Sequence, residues 1–371
     1  MTSVVLLGAL FGLVAASAES KPETGVPPSR LARLQTGANV TLWFRGGRAI
    51  TDDHLANYMG DDEIDTMRRM GLKHVRLCVV PRLVMDPETG EPKQHEWSYV
   101  EKAIDKFLAH NLAVVVDMHN ENRLDEANPV WREHFVNFWK VAARRVSHYD
   151  PEMVLLEIVN EPVYTGHEAE WAPFQEQLVA AIRAGAPDHT IVATGPNWSN
   201  INGGLLILKP LADRNLVYTF HCYDPHPFTH QGATWSSRDE EPLRRVPYPS
   251  TPELIAPLLA GLPSDSRVTL LKYGDERWNH AKMEENFKQA VEWGRRYKVP
   301  LYCGEFGVYP RFSLPEHRAN WFQDFGDVLR KYHIGWCVWG WDDQFGIGRR
   351  HVAGKLVLDE LVVKSLGLKQ P

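Results

Sequence analysis

The chain has little cysteine. Cys78, Cys222, Cys303 and Cys337 are the only four in 371 residues, they stand far apart, and no C-x-x-C pair occurs. That spacing excludes a zinc ribbon and a dithiol redox motif. Each lies in or beside an apolar run, so the four read as small packing residues rather than as a disulfide framework. A basic excess is also missing. Lys and Arg number 41 against 47 Asp and Glu, a formal charge of −6, which argues against nucleic acid as a partner because phosphate backbones are held by a surplus of cations. No apolar run reaches the roughly 20 residues needed to cross a bilayer, so no integral membrane segment is expected. Neither H-E-x-x-H nor G-x-S-x-G occurs, which removes the commonest zinc-hydrolase and serine-hydrolase signatures. No linker or low-complexity segment interrupts Leu31 to Leu368, so a single domain is expected.

What is plentiful is aromatic: 13 Trp, 12 Tyr and 14 Phe. With 44% apolar and 24% charged residues, the chain can bury a large core, and the surplus of Trp suits a protein that stacks flat, weakly polar rings such as sugars. The first 18 residues carry no charged side chain. They hold an apolar run from Val4 to Ala16 and end in Ala16-Ser17-Ala18. This A-x-A pattern reads as an export leader, although the usual Lys or Arg near the start is missing. The expected organisation is a leader over 1–18 and one mature domain over 19–371, exported to the medium, a periplasm or the cell surface.

Short apolar runs alternate with helical stripes along the mature chain. Strands are expected at Asn39–Phe44, His74–Val79, Ala113–Met118, Val154–Val159, Thr190–Ala193, Leu216–Phe220, Leu301–Cys303 and Gly335–Trp339. Helical spacing joins Ile64, Met67 and Met70; Val100, Ile104 and Phe107; Phe135, Phe138, Trp139 and Ala142; and Phe174, Leu178 and Ile182. Eight such strand and helix repeats predict an α/β fold, a closed (β/α)₈ TIM barrel. The long, Pro-rich segment from Asp224 to Asn279 breaks the rhythm. At most a short helix near Pro252–Leu262 is expected in it, and its length suggests one wall of a cleft.

The active site of such a barrel lies at the C-terminal ends of its strands. Strand two delivers Arg76, strand three ends Asp117-Met118-His119-Asn120, strand four ends Asn160-Glu161-Pro162, strand six ends His221-Cys222-Tyr223, strand seven ends Gly304-Glu305-Phe306 and strand eight ends Trp339-Gly340-Trp341. Glu161 and Glu305 therefore face one pocket. Paired carboxyls at a barrel mouth are what glycoside hydrolysis requires, one to protonate the leaving oxygen and one to attack or stabilise an oxocarbenium-like carbon. Glu161 must then hold a proton near neutrality and Glu305 must be ionised, with Arg76 and the Tyr223 hydroxyl favouring the charged form. Asp117, His119 and His221 could instead be metal ligands, but the ligand spacing of zinc barrels is missing. His226 and His230 stand four apart, yet Pro225 and Pro227 flank the first of them. Trp139 reads as core; Trp198, Trp235, Trp339 and Trp341 are candidates for sugar stacking, and Asp342 and Asp343 read as solvated loop acids.

The phrase Glu157-Ile158-Val159-Asn160-Glu161-Pro162, followed by Cys303-Gly304-Glu305-Phe306-Gly307, resembles glycoside hydrolase family 5, the cellulase family of retaining (β/α)₈ glycosidases, over most of the mature chain. The resemblance implies that Glu161 is the general acid and base, Glu305 the nucleophile, and Asn160 the residue that binds the sugar 2-hydroxyl. It further implies that Arg76 holds the nucleophile ionised, that His119, His221 and Tyr223 line the substrate subsite, and that Trp339 is the aromatic platform at the cleavage point. Cys78 departs from the proline that many relatives carry after the arginine. The expected function is retaining, endo-acting cleavage of β-1,4-glucan by a monomer without metal or organic cofactor. The alternatives are β-mannan, xyloglucan, exo-acting β-1,3-glucan hydrolysis, and a barrel that only binds polysaccharide, which the presence of both acids disfavours.

Overall fold

Alternating side chains explain how eight short strands become a closed layer with two different faces. The computed structural model describes residues 25–46, 50–343, 345–350 and 356–371; the leader expected over 1–18 lies outside the described residues. The strands are β1 (Gly37–Phe44), β2 (His74–Val79), β3 (Ala113–Met118), β4 (Val154–Glu157), β5 (Ile191–Ala193), β6 (Leu216–His221), β7 (Leu301–Glu305) and β8 (Gly335–Val338). They pair in sequence order, all parallel, and close through Gly37 opposite Cys337 and Ala38 opposite Val338. The (β/α)₈ barrel is therefore as expected, with strand ends shifted by one or two residues.

On β2, Val75, Leu77 and Val79 join the outer core beneath the helices, which leaves His74, Arg76 and Cys78 for the interior by the two-residue period of a strand. On β3 and β4 the same alternation sends Val115 and Leu155 into an inner cluster with Val192, Val217, Tyr302 and Cys337, and Asp117 and Glu157 follow them one step nearer the mouth. The helix Pro28–Arg33 closes the far end, with Val26 and Leu34 packed on that inner cluster. Outside, the apolar stripes of Asp61–Met70, Gln94–Ala109, Pro129–Val146 and Trp171–Gly185 are buried against the strands.

Simple alternation would turn Glu305 outward, because Tyr302 faces in and Cys303 faces out. The register of β6 and β7 shifts between Phe220 and His221, so that His221 pairs with Glu305 rather than with Gly304. A bulge of this kind re-aims the next side chain. Only glycine fits at its centre: a Cβ on Gly304 would stand 2.6 Å from Thr219 Oγ1 and 3.0 Å from His221 Nε2.

The sixth connection is more ordered than its sequence suggests. Besides the short helices His226–Thr229 and Pro252–Ile255 it carries Ser264–Glu276, a 13-residue helix that corrects the expectation of at most one short helix near Pro252–Leu262. Its buried face is made by Ser266, Leu270, Tyr273 and Gly274 while Val268 and Leu271 point to solvent, so no apolar stripe advertises it. An antiparallel pair, Gly348–Arg350 with Leu356–Leu358, follows β8. All four cysteines are buried and free, and burial pushes their thiols up, that of Cys337 to about 12. No helix among the described residues is long and apolar enough to cross a membrane.

Candidate active site

The strand ends bring Arg76, His119, Asn160, Glu161, His221, Tyr223, Glu305 and Trp339 to one mouth of the barrel. Arg76 is fully buried and uses all five of its N–H groups. Nε and Nη2 donate to the two oxygens of Glu157, both at 2.7 Å; Nη2 also donates to Asn160 Oδ1 at 2.8 Å; Nη1 donates to Glu305 Oε1 and Asn39 Oδ1, both at 2.9 Å. Because the Asn160 oxygen is taken, its amide N–H₂ is turned to the His119 side, 3.4 Å from Nε2. His119 is fixed from behind by Asp117, whose Oδ2 accepts from Nδ1 at 2.8 Å. Burial, then Arg45 and Arg76, hold the His119 ring well below its ordinary pKa, so Nε2 is a neutral acceptor.

The second oxygen of Glu305 accepts from the Tyr223 hydroxyl at 2.9 Å. Burial pushes the Glu305 carboxyl up, to about 7, and Glu161 adds to this against the pull of His221 and Arg76. Glu161 follows β4 with a positive φ of 40° and, unlike Glu305, keeps part of its carboxyl in contact with solvent. His221 Nδ1 lies 2.8 Å from Glu161 Oε1 and 3.6 Å from Glu305 Oε2. Burial lowers the His221 pKa, and its Nε2 has no hydrogen-bond partner among the described residues. The single ring proton therefore belongs on Nδ1, between the two acids.

Two clusters, Glu161 with His221 and Glu305, and Cys78 with Asp117 and His119, have the residue types of a metal site, with ligand atoms within 4.8 Å of one another. In each, an imidazole nitrogen and a carboxylate oxygen are already 2.8 Å apart, a direct hydrogen bond. Around one zinc ion, with bonds of about 2.0 to 2.2 Å, ligand atoms stand roughly 3.3 Å apart. Arg76 Nη2, 3.1 Å from Asp117 Oδ2, further disfavours a cation there.

The aromatic candidates divide. Trp339 is only 8% exposed; His119 stacks on it with centroids 5.3 Å apart, and the Arg45 guanidinium lies 5.2 Å from its ring. Trp341 is fully buried, its Nε1 donating to Glu63, which removes it as a sugar platform. Asp342 is likewise no solvated acid but is buried between Tyr58 and Arg350. Trp139 is core, as expected. Trp198 and Trp235 are 46% and 53% exposed. Trp198 sits in a left-handed turn in which Asn197, Trp198 and Ser199 have φ of 53°, 59° and 52°, a conformation costing each non-glycine residue about 1 to 2 kcal/mol. The turn is held from both sides of the mouth: Trp198 N–H donates to Pro162 O at 3.2 Å, and Ser199 O accepts from His221 N–H at 2.8 Å. Trp235 meets Tyr309 edge-on at 4.8 Å.

A (β/α)₈ barrel whose mouth holds two facing Glu residues within a ring of buried polar groups has the make-up of a glycoside hydrolase. The chain belongs to the cellulase family, glycosyl hydrolase family 5, which it matches over residues 43–345. It is 29% identical over 322 residues to endoglucanase C of Acetivibrio thermocellus, covering 84% of this chain and 92% of that one. It is 27% identical over 292 residues to cellodextrinase A of Ruminococcus flavefaciens, covering 76% and 78%. Among solved structures, an endoglucanase from the hyperthermophilic Thermotoga maritima superposes with a TM-score of 0.73 at 24% identity over 91% of this chain and 98% of that one.

Proposed function

We propose that the protein is a retaining, endo-acting β-1,4-glucanase working by double displacement. The observation that carries the mechanism is the closeness of the two acids: an oxygen of Glu161 and an oxygen of Glu305 lie within 4.8 Å of each other. Retaining enzymes keep their carboxyls about 5 to 5.5 Å apart, and inverting enzymes leave about 6.5 to 9.5 Å for a water. In the first step a Glu305 oxygen attacks the anomeric carbon, the glycosidic C–O bond breaks, and Glu161 gives its proton to the departing oxygen. In the second, Glu161 takes a proton from water, the water oxygen attacks the same carbon from the opposite side, and the Glu305 ester bond breaks. Two inversions leave the β configuration intact.

The surrounding groups support this division of roles. Both Glu305 oxygens accept hydrogen bonds, from Arg76 and Tyr223, which suits a carboxylate. Glu161, nearer solvent, can exchange its proton with water between the two steps. Asn160, its oxygen held by Arg76, offers an N–H donor beside the His119 acceptor, a pair fit for adjacent sugar hydroxyls. The β-1,4-glucan preference rests on the relatives named endoglucanase, and the sixth connection, with Trp235 exposed on it, forms one wall of the cleft. Export through the N-terminal leader and action as a monomer complete the proposal.

The test is an assay on carboxymethylcellulose, barley β-glucan, mannan, xyloglucan and laminarin, with proton NMR of the first product. The expected result is the highest rate on a β-1,4-glucan and a β-anomer before mutarotation. An α-anomer appearing first would overturn the mechanism; faster turnover of mannan, xyloglucan or laminarin would overturn the substrate.

A further inference from the structure

The guanidinium that touches Glu305 is held most tightly by a different acid. Glu157 takes two of the five Arg76 N–H groups, one on each oxygen at 2.7 Å, whereas Glu305 receives one at 2.9 Å. Asp117 Oδ2 lies 3.1 Å from the same guanidinium. Arg76, Asp117 and Glu157 are fully buried and Glu305 nearly so. One buried cation thus faces three buried carboxyls, and the one with the best geometry takes no part in the chemistry proposed above.

We propose that Glu157 is a positioning residue: its two-pronged hold fixes the plane of the Arg76 guanidinium and draws on its charge, and so sets the pH at which Glu305 gives up its proton. This rests on the reading of Glu305 as nucleophile. A carboxylate bonded through both oxygens locks a planar guanidinium against rotation. The donors left over then point to fixed places, Nη1 to Glu305 and Asn39, Nη2 to Asn160. Both Glu157 oxygens accept, the pattern of the ionised form. In a water-poor interior the charge of Arg76 is felt in full by whatever faces it, so neutralising Glu157 leaves more of that charge for Glu305.

The groups that face Glu305 are Arg76 and Cys78 from β2, Asp117 from β3, and Glu161 just past β4. To these are added His221 and Tyr223 at the end of β6 and Cys303 on its own strand. Only Arg76 among them is a permanent cation. Burial raises Glu305 despite that cation.

The experiment is the pH profile of kcat/KM for Glu157→Gln on 2,4-dinitrophenyl β-cellobioside. This leaving group needs no proton from Glu161, so the acid limb reads Glu305 in the free enzyme. The limb is expected to move down by about one pH unit, with the plateau about tenfold lower because the fork is broken. A lower plateau with an unmoved limb would mean a merely structural role and would overturn the proposal. Glu157→Asp keeps the charge and shortens the reach. It should leave the limb in place and lower the plateau about tenfold, and if the Gln variant does not fold, a wild-type plateau or a moved limb in the Asp variant overturns the proposal instead. Mass spectrometry after trapping with a 2-deoxy-2-fluoro cellobioside separates the two readings. A label away from Glu305 sinks the nucleophile assignment, whereas a label on Glu305 with an unmoved limb sinks only the role of Glu157.

Discussion

His221 places its Nδ1 2.8 Å from Glu161 Oε1, and the same nitrogen stands 3.6 Å from Glu305 Oε2. One neutral ring, unable to serve as a strong acid, therefore stands beside both carboxyls and favours whichever of them is ionised.

The roles of the two acids are separable. Glu161→Ala should slow cellobiosides with poor leaving groups by about 10² to 10⁴ and those with activated aryl groups far less, since only the former need a proton. Glu305→Ala should lose both, and added azide should restore part of the rate, giving a glycosyl azide of inverted configuration. Equal losses on the two substrate types in the Glu161 variant, or the inverted azide arising from it, would reverse the assignment.

Trp198 N–H is tied to Pro162 O, next to the proposed acid, and the side chain is 46% exposed, so stacking of its indole on a sugar at the leaving-group side is the role to test. Trp198→Ala should lower kcat/KM on cellotetraose about five- to tenfold, in keeping with about 1 kcal/mol of stacking. Cellobiosyl fluoride has no sugar on that side and should be hydrolysed at the wild-type rate. A loss of similar size on both would locate the effect in the strained turn rather than in stacking.

Stability should fall with acid through His74. This ring is sealed at the closed end of the barrel, Nδ1–H donating to Arg33 O and Nε2 accepting from the Tyr302 hydroxyl, and burial lowers its pKa from 6.5 to about 3. The unfolded chain then binds a proton that the folded one refuses. Its stabilisation is complete above pH 6.5 and is lost as pH falls toward 3. Between pH 7 and 5 this amounts to about 2 kcal/mol. Urea midpoints should show that decline shrinking by the same amount in His74→Gln, and an unchanged slope would remove His74 as its cause.

The sequence was most legible where one strong pattern acted alone. β2 and β3 have their expected bounds because each is a short apolar run with an inward polar side chain, Arg76 or Asp117, and Glu161 and Glu305 share the mouth because each follows the apolar run of its strand. For Glu157 and Asn39 the only signal in the sequence is a lone polar side chain between Leu156 and Ile158, or between Ala38 and Val40, the mark of an inward position on a barrel strand. The inward turn of Glu305 depends on a bulge at Gly304 that alternation alone does not announce. Trp341 and Asp342 are buried where a loop position suggests exposure, because exposure in a loop is decided by what packs over it, here Glu63 and Tyr58 from distant segments together with Arg350. The helix Ser264–Glu276 is not legible in the sequence because a serine and a glycine share its buried face.

The four free thiols give the barrel a gauge of its own opening. A thiol is attacked only as its thiolate, and burial both hides these sulfurs and raises their pKa. Alkylation must wait for a stave to part from its neighbours. Cys78 belongs to β2, Cys303 to β7, Cys337 to β8, and Cys222 follows β6 directly, so the order in which the four react would show which seam of the cylinder yields first.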